Sequence, residues 1–421
     1  MSGQSPDINE TLTRVYREDA GGVLAVLIRQ FRDFDLAEDA LQDAMAEALA
    51  SWRRDGPPRN GAAWLLTTAR RRAIDRIRRA VNARDQAAQL ALLNDVMVGA
   101  ASDNDSDLPE SEQPIPDERL RLVFTCCHPA LNEAAQVALT LRTICGLSVP
   151  QIARAYLVSE ATMAQRLVRA KNKIRAAAIP YEIPQADVLS ERLNVVCDVI
   201  YLIFNEGFAA SDGVSPLRPD LCAEAIRLGR ILYQLMPVPE PGGLLALMML
   251  HDARRDARVG PDNSYIPIAE QNRSQWDHTQ IEQGVELLLH CLGQRRPGPF
   301  QVQAAISAVH AQAPDAGQTD WEQIAGLYKA LYEMTPTAVV MLNRAVAVAN
   351  AGQVNAGLDL LNSVADELTD YQPLYAARAD LSARCDNIDA AVENYQQAIA
   401  MSANAAERDF LHKKLQAIRC A

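Results

Sequence analysis

The amino-acid sequence predicts an all-α protein, on three observations. Alanine, leucine and arginine recur along the whole chain, and such side chains lose little rotamer freedom on entering a helix. Apolar residues return at helical spacing, as Leu24, Leu27, Ile28 and Phe31 do on one face at i, i+3, i+4 and i+7. Runs of Val, Ile, Tyr and Thr in alternation are rare, which leaves little room for strands. At 421 residues the chain has length for about two to four domains.

The first helical pattern, from Asp19, is interrupted at Asp33-Phe34-Asp35. A second helix is predicted from Leu36 to Trp52, with Leu41, Met45, Ala48 and Leu49 inward and Glu38, Asp39, Asp43 and Glu47 on the opposite side. Gly56-Pro57-Pro58 breaks the chain, because proline lacks an N–H and fixes φ. A third helix starts near Ala62 and carries Trp64-Leu65-Leu66 into an arginine run that ends at Arg78-Arg79. These helices form a first domain, 10–90. Over 91–116 the composition shifts to Asp, Glu, Ser, Asn, Gly and Pro, with no basic residue from Asp95 to Pro116, which reads as a flexible acidic linker. A second helical domain covers 117–180 and ends at the boundary marked by Pro180 and Pro184.

The rest of the chain, 185–421, is a helix-rich extension with a repeat near 320–415. Arg344-Ala345 recurs thirty-four residues later as Arg378-Ala379, Leu361 as Tyr395, and Val364 as Ala398. Thirty-four is the period of tetratricopeptide helix pairs. Ala391, Tyr395 and Ala398 have the small–aromatic–small spacing of the second helix, and Gly357 takes the small position one repeat earlier. A further, degenerate repeat places Leu327 and Ala330 in the corresponding positions.

A formal net charge of −12 argues against a chain that is basic throughout, but its charges are segregated. Arg72, Arg76 and Arg79 stand at i, i+4 and i+7, with Arg71 and Arg78 alongside and Asp75 opposing them. Leu66, Ala69, Ala73 and Ile77 form a separate apolar face, so the helix can dock on a core while its guanidinium groups grip phosphates. A merely solvated basic face is the plain alternative. Further on, Ser148-Val149-Pro150-Gln151 is a capping box with Pro in the first turn, and Leu157-Val158 makes a turn. Ser159-Glu160-Ala161-Thr162 then caps a longer helix, with Met163, Leu167, Ala170 and Ile174 inward. A short helix, a tight turn and a basic second helix form a helix-turn-helix, whose second helix enters the major groove. Ser159, Glu160, Thr162, Gln165, Arg166, Arg169, Lys171 and Lys173 are the candidates for bases and phosphates. An unrelated helix hairpin is the plain alternative here.

Together these segments resemble a known family. Asp33 to Ala44, then Trp64-Leu65, then Ala73-Ile74-Asp75 look like region 2 of extracytoplasmic-function sigma factors of the sigma-70 superfamily. Arg119 to Pro129, leading into the helix-turn-helix, looks like region 4, and the whole chain resembles the subgroup with a C-terminal tetratricopeptide-like extension. The resemblance implies a non-enzymatic subunit that binds core RNA polymerase and directs transcription initiation at promoters. Its implied partners are the β′ clamp helices, the β flap and promoter DNA. Asp35, Glu38, Asp39, Gln42 and Asp43 would meet the polymerase. The loop from Asp55 to Gly61, including Asn60, would capture a base of the minus-ten element, with Trp64, Arg70, Arg71, Arg72, Asp75, Arg76, Arg78 and Arg79 holding the strand. Residues 159–173 would read the minus-thirty-five element, and the acidic linker would thread towards the polymerase active-site cleft and RNA exit channel.

No cofactor or metal is expected. Cys126-Cys127-His128, with Cys145 beyond, lacks the two-residue ligand spacing of zinc sites, so buried structural thiols are expected, with redox sensing as the alternative. The N-terminus shows no signal-peptide pattern and no apolar stretch reaches the roughly 18 residues of a membrane span, so a cytoplasmic protein without membrane contact is expected. In the extension, Asn205-Glu206-Gly207, His251 to Arg255 and Gln271 to Asp277 are read as caps and buried networks in preference to a ligand pocket. The extension is expected to regulate the other domains in cis, with a regulatory protein or ligand as candidate partner. The competing readings are a conventional helix-turn-helix regulator with a helical-repeat sensor, and an enzyme within 185–421.

Overall fold

The computed structural model describes residues 8–84, 115–156, 158–208, 218–260, 266–402 and 405–420. Most of the predicted acidic linker, 91–114, and Leu157 of the predicted turn lie outside the described residues. Among those described there are eighteen α-helices and no β-strand, and no helix is long and apolar enough to cross a membrane. The chain divides into two compact units, Met1–Val199 and Ile200–Ala421.

The first unit opens with α1 (Ile8–Phe31), α2 (Phe34–Asp55) and α3 (Gly61–Arg84). Helix α1 ends where Arg32 adopts φ +51°, and the Asp33 side chain accepts hydrogen bonds from the N–H groups of Asp35 (2.9 Å) and Leu36 (3.1 Å). The sequence break at Asp33 is therefore an N-cap, which starts α2 two residues before the predicted Leu36. Gly56, at φ +82°, ends α2 in a conformation open to glycine, and the Asn60 side-chain oxygen Oδ1 caps α3 by accepting from the Ala63 N–H at 3.0 Å. Trp52, Leu41, Ala44 and Ala48 of α2 and Leu65, Ala69 and Ala73 of α3 are buried between the helices.

Four further helices complete the unit: α4 (Ile115–Cys126), α5 (Glu133–Thr143), α6 (Val149–Ala155) and α7 (Glu160–Ala176). Every residue of α1 from Ala20 to Ile28 is buried. A helix in a three-helix bundle keeps one stripe in water, so burial on all sides requires a second layer. Helix α4 supplies it, packing on α1 in addition to α2 and α3. A longer helix, α8 (Ala186–Phe208), contains the division between the units.

The second unit comprises α9 (Pro219–Leu235), α10 (Pro239–Asp252), α11 (His278–Gly293), α12 (Pro299–Gln312), α13 (Trp321–Met334), α14 (Ala338–Asn350), α15 (Val354–Ser363), α16 (Gln372–Arg384), α17 (Ile388–Met401) and α18 (Ala405–Cys420). Helix α10 is its axis, buried at every position from Leu244 to Leu250 and packed on α9, α11 and α12. Its Glu240 accepts the first free N–H of α12, from Phe300, at 2.6 Å. The thirty-four-residue repeat is two helix pairs, α14–α15 and α16–α17. Ala345, Leu361 and Val364 of the first are buried, as are their counterparts Ala379, Tyr395 and Ala398. At Gly357 a Cβ would lie 2.6 Å from the Ala345 carbonyl oxygen and 2.8 Å from Ala349 Cβ, so the helices touch because that side chain is absent.

Gly357→Val should accordingly destabilise the repeats by about 1–3 kcal/mol through overpacking. Gly326→Ala on α13, where a Cβ meets nothing within 4 Å, should stabilise by up to about 1 kcal/mol. Denaturant unfolding followed by circular dichroism checks both, and equal effects of the two substitutions would contradict the packing described.

Candidate functional site

Two faces of the first unit collect the predicted site residues. The first is the groove between α2 and α3, lined by Asp33, Leu36, Asp43, Glu47, Arg72 and Arg76 among others, with a volume of about 1030 Å³. Arg76 bridges α3 to α2, its Nε 2.9 Å from Asp43 and its Nη1 2.6 Å from Asp39. Glu47 receives Arg72 at 2.6 Å and Arg71 at 2.7 Å. Burial pushes the Glu47 carboxyl up, but the hydrogen bonds and charges of Arg72 and Arg71 outweigh it and hold the group below the usual carboxylate range. Asp39 and Asp43, expected to meet polymerase, are thus joined to an arginine expected to meet DNA. Glu47, absent from the expected contacts, is the second hub. Its position one turn beyond Asp43 on the acidic side of α2 was the signal for it.

The remaining members of this set lie around the groove. Asp35, Asp39 and Gln42 are exposed on α2, and Arg78 and Arg79 are exposed on α3, where Arg79 also donates to the Asp75 carbonyl oxygen at 3.2 Å. Arg70 and Asp75 are half-buried. At the end of α2 Asp55 pairs with its neighbour Arg54 at 2.8 Å, and in the connecting loop Asn60 is occupied as the α3 cap. Trp64 stands edge-on to the buried Trp52, ring centroids 5.6 Å apart, so it packs the base of the loop.

The second face is the helix-turn-helix. The capping box forms as predicted from spacing: Gln151 Oε1 accepts from the Ser148 N–H at 2.8 Å, and Ser148 Oγ accepts from the Gln151 N–H at 3.4 Å. Ser159 Oγ accepts from the Thr162 N–H at 3.1 Å and starts α7. Met163, Leu167, Ala170 and Ile174 are buried, while Glu160, Thr162, Gln165, Arg169 and Lys173 are exposed and Arg166 is half-buried. Lys171 is placed differently. Its side chain is only 10% exposed and its ammonium lies 2.9 Å from Asp35 and 3.1 Å from Glu38, across on α2. Arg142 of α5 also reaches Glu38, at 3.6 Å, and Arg175 reaches Asp35 at 3.6 Å. Neither Arg142 nor Arg175 was expected at a site. Only the i, i+4 spacing of Lys171 and Arg175 hinted at a shared direction.

Cys126 and Cys127 are buried on α4 and in the turn after it. Cys126 Sγ shares a hydrogen bond with Thr143 Oγ1 at 3.2 Å, and Cys127 Sγ with Thr140 Oγ1 at 3.6 Å. Burial drives both thiols upward, Cys127 to about 12, which opposes thiolate chemistry. His128 instead accepts the Ala130 N–H on Nδ1 at 3.1 Å.

In the second unit two of the three polar clusters meet. The second and third meet directly, Arg254 lying 5.9 Å from the Trp276 ring centroid and the Asp277 N–H donating to the Ala253 carbonyl oxygen at 2.8 Å, while His251 stacks on Phe208, next to Gly207. Arg273 rests on Trp276, 4.5 Å from its centroid, and donates to the carbonyl oxygens of His310 and Ala313. Burial, followed by the charges of Arg254 and Arg258, holds His251 well below the usual histidine range. His251 Nε2 is 2.8 Å from Ser307 Oγ, but its Nδ1 has no hydrogen-bond partner among the described residues.

Against known proteins, residues 15–82 match Sigma-70 region 2 and residues 121–174 match Sigma-70, region 4. Residues 192–292 match a separate family of unknown function (DUF6596). A protein of Rhizobium meliloti (strain 1021), named Uncharacterized protein R00370, is 41% identical over 395 residues, covering 93% of this chain and 92% of its own length. The ECF RNA polymerase sigma factor SigK of Mycobacterium bovis (strain BCG / Pasteur 1173P2) is 28% identical over 187 residues, 41% of this chain and 93% of its own. The protein of that name from Mycolicibacterium vanbaalenii is 29% identical over 177 residues, 40% of this chain and 84% of its own. No solved structure matches.

From the thiol environments, Cys126 and Cys127 should resist iodoacetamide at pH 8 in the native protein, whereas the half-buried Cys385 should be labelled. Peptide mapping after native and denaturing alkylation checks this, and native labelling of the Cys126-Cys127 peptide would restore redox sensing as a working idea.

Proposed function

Because this chain belongs to the extracytoplasmic-function sigma factors of the sigma-70 family, we propose that α2 docks on core RNA polymerase while α3 and α7 read the two elements of a promoter. The β′ clamp helices would meet the exposed carboxylates of α2, and the β flap would meet the region-4 helices. Promoter selection requires no catalytic group in the chain. It is a task of the cytoplasm, on the nucleoid once the holoenzyme has formed.

One observation carries this reading above the others. Helix α7 is anchored by four buried apolar side chains and turns Glu160, Thr162, Gln165 and Arg169 outward at its N-terminal half, the part of a recognition helix that reaches base edges. Helix α3 adds a half-exposed guanidinium row beside a groove, the combination that single-stranded DNA uses for its backbone. The extension is proposed to regulate this activity in cis, supported by its helix-pair repeats, whose surfaces commonly receive peptides or neighbouring domains.

Transcription in vitro with sigma-free core polymerase, full-length chain and fragmented genomic DNA is the test. Discrete promoter-dependent transcripts are expected. Gln165→Ala and Arg169→Ala should each lower output from a single promoter by roughly 5- to 150-fold, the equivalent of about 1–3 kcal/mol per base contact. Silence together with tight, polymerase-independent binding to duplex DNA would replace this proposal with a conventional helix-turn-helix regulator.

A further inference from the structure

The face that α7 turns outward has a composition of its own. At about 100° per residue, Met163, Leu167, Ala170 and Ile174 make the buried row, and Ala161, Gln165, Val168 and Asn172 make the row on the opposite side. All four of the latter are exposed. Between the two rows, Thr162, Arg166, Arg169 and Lys173 take one flank, with Arg169 the member nearest the outward row. Glu160, Ala164, Lys171 and Arg175 take the other flank. The cations of this helix are therefore all on its flanks, and its outermost row has no charge.

Basicity alone does not require that arrangement. A helix that only rested on the phosphate backbone would place cations on the row nearest the duplex. A helix seated in the major groove has a different need. Its outermost row meets base edges, while its flanks meet the phosphates of the groove walls. Ala161 to Val168 rises about 10 Å at ~1.5 Å per residue, the height of about three base pairs at ~3.4 Å each.

Val168 stands at the midpoint of α7 and is 55% exposed. A single exposed valine is ordinary on a protein surface. This one adds nothing to the core and, being β-branched, is a poorer helix former than alanine or leucine. Its neighbours in the row decide what its methyl groups are for. Arginine and lysine read guanine, glutamine and asparagine read adenine, and an apolar side chain packs against the 5-methyl group of thymine. The row has two amides and two apolar groups and no guanine reader. Gln165 and Val168 are three residues apart on one face, so an adenine edge and a thymine methyl fall to neighbouring side chains.

We propose that Val168 is a specificity-determining residue, its methyl groups packed on the 5-methyl group of a thymine in the minus-thirty-five element, with Gln165 one turn away on an adenine edge. The proposal rests on the promoter-factor reading above and adds to it a residue, a row and a base. The cationic flank beside the row fixes α7 on the phosphates and sets affinity, while the uncharged row sets which sequence is accepted.

Uracil in place of thymine tests the contact directly. It removes the 5-methyl group and leaves every hydrogen-bonding group of the base pair unchanged. The full-length chain is used with core polymerase, on a promoter taken from the genomic transcripts described above. Each thymine of either strand in the minus-thirty-five element is replaced singly by uracil, and transcript yield at limiting holoenzyme is compared for the wild type and Val168→Ala. With the wild type, uracil at one position should lower the yield roughly fourfold, the factor for returning one buried methyl group to water. Val168→Ala should lose a similar factor on the unmodified promoter. Uracil at that position should then cost the variant nothing more, the non-additivity of two groups in contact. Position 168 is exposed and alanine favours helix, so equal circular dichroism of the two proteins is expected. Tolerance of uracil at every thymine, an element without thymine, or a uracil effect that Val168→Ala leaves intact would overturn the proposal. In the last case a general loss of yield in Val168→Ala would place the side chain against polymerase instead of DNA. Silence of the wild type on all genomic fragments defeats the underlying reading, whereas transcription that ignores uracil defeats only the Val168 contact.

Discussion

Helix α1 has no face left for water between Ala20 and Ile28, and much of the first unit follows from how that burial is met. Leu24, Leu27 and Ile28 each withdraw apolar surface worth about 1.5–3 kcal/mol per side chain, more than a three-helix bundle can collect from a helix with one wet side. The second layer comes from the region-4 helix α4. Its own Leu122 and Phe124 are fully buried, and Glu118 is held there by Arg29 and Arg121. The first and fourth helices thus share a core, and the acidic helix α2 and the helix-turn-helix are brought to a common edge as a consequence.

That shared core also explains which parts of the fold were legible in advance. Periodicity marked α2, α3 and α7 because each has one apolar stripe, and capping chemistry at Ser148 and Ser159 is local, so the helix-turn-helix could be read from spacing alone. The repeat was legible because Ala345 and Ala379, or Leu361 and Tyr395, occupy equivalent packing positions thirty-four residues apart. The start of α1 was not. The expected pattern began only at Asp19, yet the helix runs from Ile8. Nor does any local pattern mark the use of Gly21, which permits the approach of the Ile144 carbonyl, a residue more than a hundred positions away. Asp33-Phe34-Asp35 does interrupt the helical pattern, and Asp33 is at the same time the cap of α2, because a short polar side chain before an apolar run serves either purpose.

The candidate site divides along the same line. Sequence segregates the acids of α2 from the arginines of α3 and so identifies two charged surfaces. It contains nothing to say that Arg76 lies between Asp39 and Asp43, or that Arg71 and Arg72 share Glu47. Lys171 is the sharpest case. Its place among the basic residues of α7 suggests phosphate, but its partner Asp35 is 136 residues distant. Pairing over such separation is a property of the packed unit, and no local pattern encodes it.

The two sets of ion pairs differ in kind. Arg76, Asp39 and Asp43 are 36%, 53% and 38% exposed, so water screens them and such pairs contribute on the order of 0–1 kcal/mol each. They preset the guanidinium rotamers without holding them, and a phosphate, which arginine grips with two hydrogen bonds, can displace a half-solvated carboxylate at little cost. Lys171 and Glu38 stand at the other extreme. With both ions withdrawn from solvent, removing one partner leaves the other charge stranded, so the pair yields only to a competitor that supplies an equivalent charge in the same step. Exposure alone therefore sorts the basic residues of this unit: Arg76 of α3 pairs where water screens it, while Lys171 is paired largely out of water.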